Sequence, residues 1–171
     1  GKLYALDGDN GSLKWSYTPG GGIGVGSPTY YNGTIFIGCS DQNMHAVDAT
    51  TGLLKWKYLS HGNLSASTPT LDNGVLYFGS SGASISNCYL TAINAQTGAL
   101  VWERQFQSGP WSPTVVNNRL YVSTFNGQAS YDASNGQPLN SFAGSDICAD
   151  NPLVVNGVMY AGKETKAVTA Y

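Results

Sequence analysis

Few residues in this sequence are equipped for chemistry. It holds two histidines, His45 and His61, and three cysteines, Cys39, Cys88 and Cys148. An activated nucleophile needs a hydroxyl or thiol against the imidazole and a carboxylate behind it. Neither histidine has an evident nucleophile beside it. His61 lies in a polar stretch, Ser60-His61-Gly62-Asn63, and is a candidate ligand-binding residue. Trp111, beside Pro110, offers a flat aromatic face to a ligand. Asp146 and Asp150 flank Cys148 and make a carboxylate pair of the kind that holds calcium or contacts a ligand. Cysteines this few and scattered suit neither a zinc site nor a disulfide scaffold, and no residue is assigned to a metal. Cys39 and Cys88 are the candidate disulfide if the compartment is oxidising. The run Gly20 to Gly26 imitates a phosphate loop, but no helix follows it, so the dinucleotide reading fails and a flexible crossover is expected.

The composition says what kind of scaffold must position these groups. The chain has 171 residues, 11% of them charged, with a net charge of −2. A typical soluble domain is about 25% charged. So neutral a chain carries no electrostatic footprint for nucleic acid or an anionic membrane. No apolar run reaches the roughly 18 residues of a membrane span. Twenty-two glycines and a 12% aromatic content suit an all-β fold with many tight turns. Asn32-Gly33-Thr34 and Asn63-Leu64-Ser65 are glycosylation sequons at Asn32 and Asn63. With the low lysine count they favour an extracellular or periplasmic protein, whose leader would lie upstream of Gly1.

A repeat organises the whole chain. Asp7, Asp48, Asn94 and Asp132 begin four related segments, each ending on a glycine, Gly11, Gly52, Gly98 and Gly136. Trp15, Trp56 and Trp102 follow the first three at the same spacing; the fourth has Asn140 instead. Each unit continues with a proline pair (Ser27-Pro28, Thr68-Pro69, Ser112-Pro113, Asn151-Pro152), then a tight turn at Asn32-Gly33, Asn73-Gly74, Asn117-Asn118 or Asn156-Gly157, then an aromatic-rich strand. Asn-Gly between apolar strands marks a two-residue hairpin, because its turn needs positive φ twice. Asp7, Asp48 and Asp132 read as acceptors bracing the second hairpin. Two hairpins per unit give a four-stranded antiparallel blade, and blades in series give a β-propeller. The repeats run at about 3–43, 44–89, 90–128 and 129–166, with a partial unit at 167–171. His45 takes the place of Tyr4 and Thr91 on its strand and is expected at the strand surface.

The pattern Ala-x-Asp-x-x-Thr-Gly-x-x-x-Trp, complete from Ala46 to Trp56, resembles the tryptophan-docking repeat of the quinoprotein (PQQ-type) propellers. The resemblance implies an all-β propeller in which Trp15, Trp56 and Trp102 dock between blades. Labelling strands A to D outward from the channel, the chain opens on a C strand and closes on one. It therefore holds C-D, three full blades and A-B-C, about four blades of a larger or shared propeller. Turns A–B and C–D are uniform and structural. Connections D–A and B–C vary between blades and lie on the other face, where function sits on a regular scaffold.

Three functions follow. The first is a non-catalytic binding or assembly module with a protein or glycan partner at the loop face and no cofactor. The second is a fragment of a PQQ-dependent alcohol or sugar dehydrogenase. There the resemblance implies PQQ with calcium, Asp146 or Asp150 as general base and Trp111 as stacking platform. The third is a subunit of an extracellular polymer, self-associating through its terminal strands.

Overall fold

A computed structural model describes residues 1–64, 66–82, 87–107, 112–124, 127–142, 152–162 and 168–170. Every described element is a strand. β1 (Leu3–Leu6) and β2 (Leu13–Tyr17) form a two-stranded sheet. Three complete blades follow: β3 (Thr29–Tyr31), β4 (Thr34–Gly38), β5 (Asn43–Asp48) and β6 (Leu54–Leu59); then β7 (Thr70–Asp72), β8 (Val75–Ser81), β9 (Cys88–Asn94) and β10 (Leu100–Phe106); then β11 (Thr114–Val116), β12 (Arg119–Thr124), β13 (Gly127–Asp132) and β14 (Pro138–Phe142). β15 (Leu153–Val155), β16 (Val158–Gly162) and β17 (Val168–Ala170) form a three-stranded sheet. All neighbours in a sheet are consecutive and antiparallel. The sheets make an open arc of a propeller, in the phase C-D, three blades, A-B-C. β3 contacts β7, β7 contacts β11 and β11 contacts β15, so the short A strands line one side of the arc. Among the described residues no helix is long and apolar enough to cross a membrane.

Local chemistry sets these elements. Asn32 and Gly33 have φ of 44° and 71°, and Asn73 and Gly74 have 48° and 77°. These are the two consecutive left-handed residues that a type I′ turn requires. Asn117 and Asn118 do the same at 51° and 59° without glycine, since asparagine tolerates this region best among larger residues. At the other hairpins one side-chain oxygen braces the turn. Asp48 Oδ1 accepts from the N–H groups of Thr50 at 3.0 Å and Thr51 at 2.9 Å. Asn94 Oδ1 accepts from Gln96 and Thr97, each at 2.9 Å.

Burial follows strand position. The central strands β4, β5, β8 and β9 are covered on both faces, whereas the outer β6 alternates between exposed and half-buried. One core, with Phe36, Met44, Leu64, Leu76, Phe78 and Ile93, lies between the first two complete blades. A second, with Leu90, Leu120, Val122 and Tyr131, lies between the second and third. No blade buries both its faces alone, so stability comes from stacking on neighbours.

Two devices lock successive blades. On the outside, each indole reaches the next blade's turn. Trp15 Nε1 donates to the Ala49 carbonyl at 3.1 Å, Trp56 to Gln96 at 3.1 Å and Trp102 to Ala133 at 2.8 Å. The rings cover Gly52, Gly98 and Gly136, where an added Cβ would lie 2.7 to 3.0 Å from indole carbons. On the inside, the hydroxyls before Pro69 and Pro113 accept from the blade before them. Ser27 N–H donates to Thr68 Oγ1 at 3.0 Å, and Thr68 N–H donates to Ser112 Oγ at 2.9 Å. Proline itself has no N–H, so the preceding residue supplies the donor.

Candidate functional site

The face that carries the D–A and B–C connections is where the blades differ. The D–A segment after β6 folds back over the neighbouring blade. Asn63 forms a two-way bridge with Ser81, N–H to O at 2.8 Å in one direction and 3.0 Å in the other. Leu64 is fully buried in the first core and anchors the segment. Glycines permit the approach: a Cβ on Gly62 would lie 2.4 Å from the Ser81 carbonyl, and one on Gly38 would lie 2.4 Å from that of Leu64. β8 and β9 are seven residues each, longer than β4 and β5, and carry this corner further out. A groove of about 450 Å³ results, lined among others by Ser40, Gln42, His61, Asn63 and Asn87. Among the described residues its lining holds amide, hydroxyl and imidazole groups and no Lys, Arg, Asp or Glu.

His61 is placed on this groove. Its ring stacks on Tyr89 at 4.3 Å and 25°, and its Nε2 lies 2.9 Å from Glu103 Oε2. The side chain remains 51% exposed, against 17% for Glu103. Glu103 also accepts from Thr91 Oγ1 at 3.1 Å and bonds the Tyr58 hydroxyl of the preceding blade. Burial pushes the Tyr58 hydroxyl up to about 12, with the Glu103 charge adding to it.

One blade earlier the same junction is built differently. His45 is not at the strand surface as expected but is buried, 3% exposed. Tyr17 arrives from the neighbouring sheet and places its hydroxyl 2.8 Å from His45 Nδ1. On the other side His45 Nε2 lies 3.1 and 3.0 Å from the two Asp41 carboxylate oxygens. Burial pushes the Asp41 carboxyl up, but the Asn43 N–H, His45 and the Cys39 thiol outweigh it and hold it at about 2. Burial raises the Tyr17 hydroxyl and the Cys39 thiol. Gln42, at φ 67°, turns the corner that sets Asp41 beneath His45. The glycine run is docked over this corner rather than free: Gly20 N–H donates to Asp41 Oδ2 at 3.2 Å and Gly22 N–H to Ser40 Oγ at 2.7 Å.

The other expected site residues are distributed as follows. Cys39 and Cys88 are both buried and are not joined by a disulfide, so the expected disulfide is corrected. They lie in different blades, and the Cys39 thiol is engaged with Asp41 of its own corner. Asn32 is exposed in the first A–B turn, and Asn63 is exposed on the groove. Trp111, Asp146 and Asp150 lie outside the described residues, as does Cys148. Sequence reasoning passed over Asp41, Tyr17, Glu103 and Tyr89. The one available signal was local, the spacing Cys39-x-Asp41-x-x-x-His45.

Four-stranded blades in series, locked by indole-to-turn docking, define a PQQ-type β-propeller. The family model described as outer membrane protein assembly factor BamB matches residues 1–171, and the chain belongs to this PQQ-repeat family. Solved structures share the fold. The quinohemoprotein alcohol dehydrogenase ADHIIG from Pseudomonas putida HK5 superposes with a TM-score of 0.79 at 17% identity, over 99% of this chain and 37% of that one. BamB from Moraxella catarrhalis gives 0.55 at 21% identity, over 99% and 63%. The computationally designed Ika8 protein gives 0.76 at 12% identity, over 98% and 51%. The chain thus spans less than two thirds of each of these structures. No curated protein matches it.

Proposed function

We propose that this chain is a non-catalytic propeller module, exported from the cytoplasm, that binds a protein partner on the face bearing the D–A and B–C connections. The observation that carries the reading is the His61 groove. It pairs a half-exposed imidazole, stacked on Tyr89, with neutral amide and hydroxyl groups. Aromatic and amide groups on a rigid edge suit a polypeptide, which offers backbone donors and acceptors along its length. Membership of a family described by an assembly factor supports the same choice. The described lining fits PQQ poorly. That quinone is a tricarboxylate, and among the described residues no lysine or arginine lines the groove.

Site-specific photocrosslinking in the cells that make the protein tests this. A photoreactive residue at Asn63 should trap a discrete partner, and one at Thr50, on the opposite turn face, should trap none. His61→Ala should weaken trapping at Asn63 several-fold. Equal trapping at both positions, or none at Asn63, would overturn the reading. Dye reduction with an alcohol after adding PQQ and calcium would favour the dehydrogenase alternative instead.

A further inference from the structure

We infer that the Cys39–Asp41–His45 corner of the first complete blade is a binding site for a zinc-like divalent cation. The site lies beside the groove, whose lining includes Ser40 and Gln42 of the same corner, and does not rest on the proposed function. Cys39 Sγ, an Asp41 carboxylate oxygen and a His45 ring nitrogen all lie within 4.8 Å of one another. With Zn–S near 2.3 Å and Zn–N and Zn–O near 2.1 Å, tetrahedral ligands stand about 3.6 Å apart. The three atoms therefore need only small movements to close on one ion. The donor set, one thiolate, one imidazole and one carboxylate, suits zinc and its borderline-soft neighbours rather than calcium or magnesium. Two of the side chains, Cys39 and His45, are buried, and Asp41 is partly covered, so the ion would be held away from bulk water.

The surroundings already do what surroundings of a metal ligand do. Tyr17 holds His45 through Nδ1 and thereby aims Nε2 at the cluster. Outer partners of this type fix the ring and its tautomer. Asp41 is steadied by the N–H groups of Asn43 at 3.0 Å and Gly20 at 3.2 Å. On binding, the ion takes the place of the proton between His45 Nε2 and Asp41. That proton moves to Nδ1, which then donates to the Tyr17 oxygen, and the Cys39 thiol releases its own proton to solvent. The net change is one ion bound and one proton released. Three protein ligands leave a fourth position for water or an exogenous ligand.

Cobalt(II) and zinc(II) titrations of the whole chain test the inference. Cobalt should bind one ion per chain and give a thiolate-to-cobalt charge-transfer band in the near ultraviolet. Cys39→Ser should abolish that band, and His45→Gln should weaken binding at least 10-fold, whereas Cys88→Ser and His61→Ala should leave both unchanged. Tyr17→Phe should keep the stoichiometry and weaken affinity by about 10-fold or more, as expected for an outer-shell partner. Zinc X-ray absorption on the unmutated protein needs no variant, and its shell should hold one sulfur among nitrogen and oxygen ligands. A sulfur-free shell, or a cobalt band that survives Cys39→Ser, would overturn the site. So would the absence of stoichiometric uptake, which would leave the corner a hydrogen-bonded rivet between sheets.

Discussion

The indole of Trp56 lies on Gly98 of the next blade and donates its N–H to the carbonyl of Gln96 at 3.1 Å. The contact makes the glycine indispensable twice over. Gly98 has φ of 73°, where a Cβ costs about 1–2 kcal/mol, and that Cβ would stand 3.0 Å from ring carbons. Gly98→Ala should therefore destabilise by about 2 kcal/mol or more, since strain and displacement of the ring add. Trp56→Phe keeps most of the apolar surface and loses the hydrogen bond, a cost of about 1 kcal/mol. Urea midpoints of the two variants check the order.

The inner lock predicts a different pattern. Thr68 accepts from Ser27 N–H and donates its own N–H to Ser112, so one hydroxyl joins consecutive blades. Thr68→Val keeps the shape and removes the acceptor, and should cost about 1 kcal/mol. Thr68→Ser restores the acceptor and should recover most of that loss. Amide exchange at Ser27 provides a local reading: it should quicken in the valine variant and not in the serine variant.

These locks also explain what could be read in advance. Both hairpins and the indole spacing are written within a dozen residues, because turn φ angles and side-chain braces are local demands. Strand phase followed directly from them. The burial of His45 was not legible, because its cover, Tyr17, comes from another sheet and no repeat position announces it. Cys39, Asp41 and His45 stand close in sequence, yet Cys39 and His45 fall on opposite arms of a hairpin corner. Only the left-handed Gln42 turns Asp41 inward to meet them. The same holds for Glu103, which looks like an ordinary outer-strand charge until His61, Thr91 and Tyr58 converge on it.

Acid should act through the turns. In the folded protein the Thr51 N–H and hydroxyl, with Lys55, hold the Asp48 carboxyl at about 2, against 3.8 for an unperturbed aspartate. A depressed folded value means the unfolded chain binds the proton first. Stability from this turn is thus complete above pH 3.8 and is lost as the pH falls through about 2. Asp48→Asn should flatten that loss, because an amide oxygen braces a turn equally well, as Asn94 does at the next blade. Tm measured down the acid range on both proteins checks the difference in slope.

Base should act through the blade junctions, with the opposite sign. Burial pushes both Tyr58 and Tyr77 up to about 12 from 10.0. Tyr77 donates to the Ala133 carbonyl at 3.2 Å, the same oxygen that receives the Trp102 indole. Tyr58 meets Glu103. An ionised phenolate at either place would lose its donor and face an acceptor. A raised folded value means the folded state keeps its proton longer than the unfolded chain. The contribution is therefore complete below pH 10.0 and is lost as the pH rises through about 12. Tyr77→Phe should cost about 1 kcal/mol at neutral pH through the lost hydrogen bond, yet reduce the fall in stability on the alkaline side. Urea unfolding of the variant and the parent, compared at neutral and at alkaline pH, should show the gap between them closing as the pH rises. A gap that stays constant would mean that Tyr77 does not titrate with unfolding and that its junction opens before the blades separate.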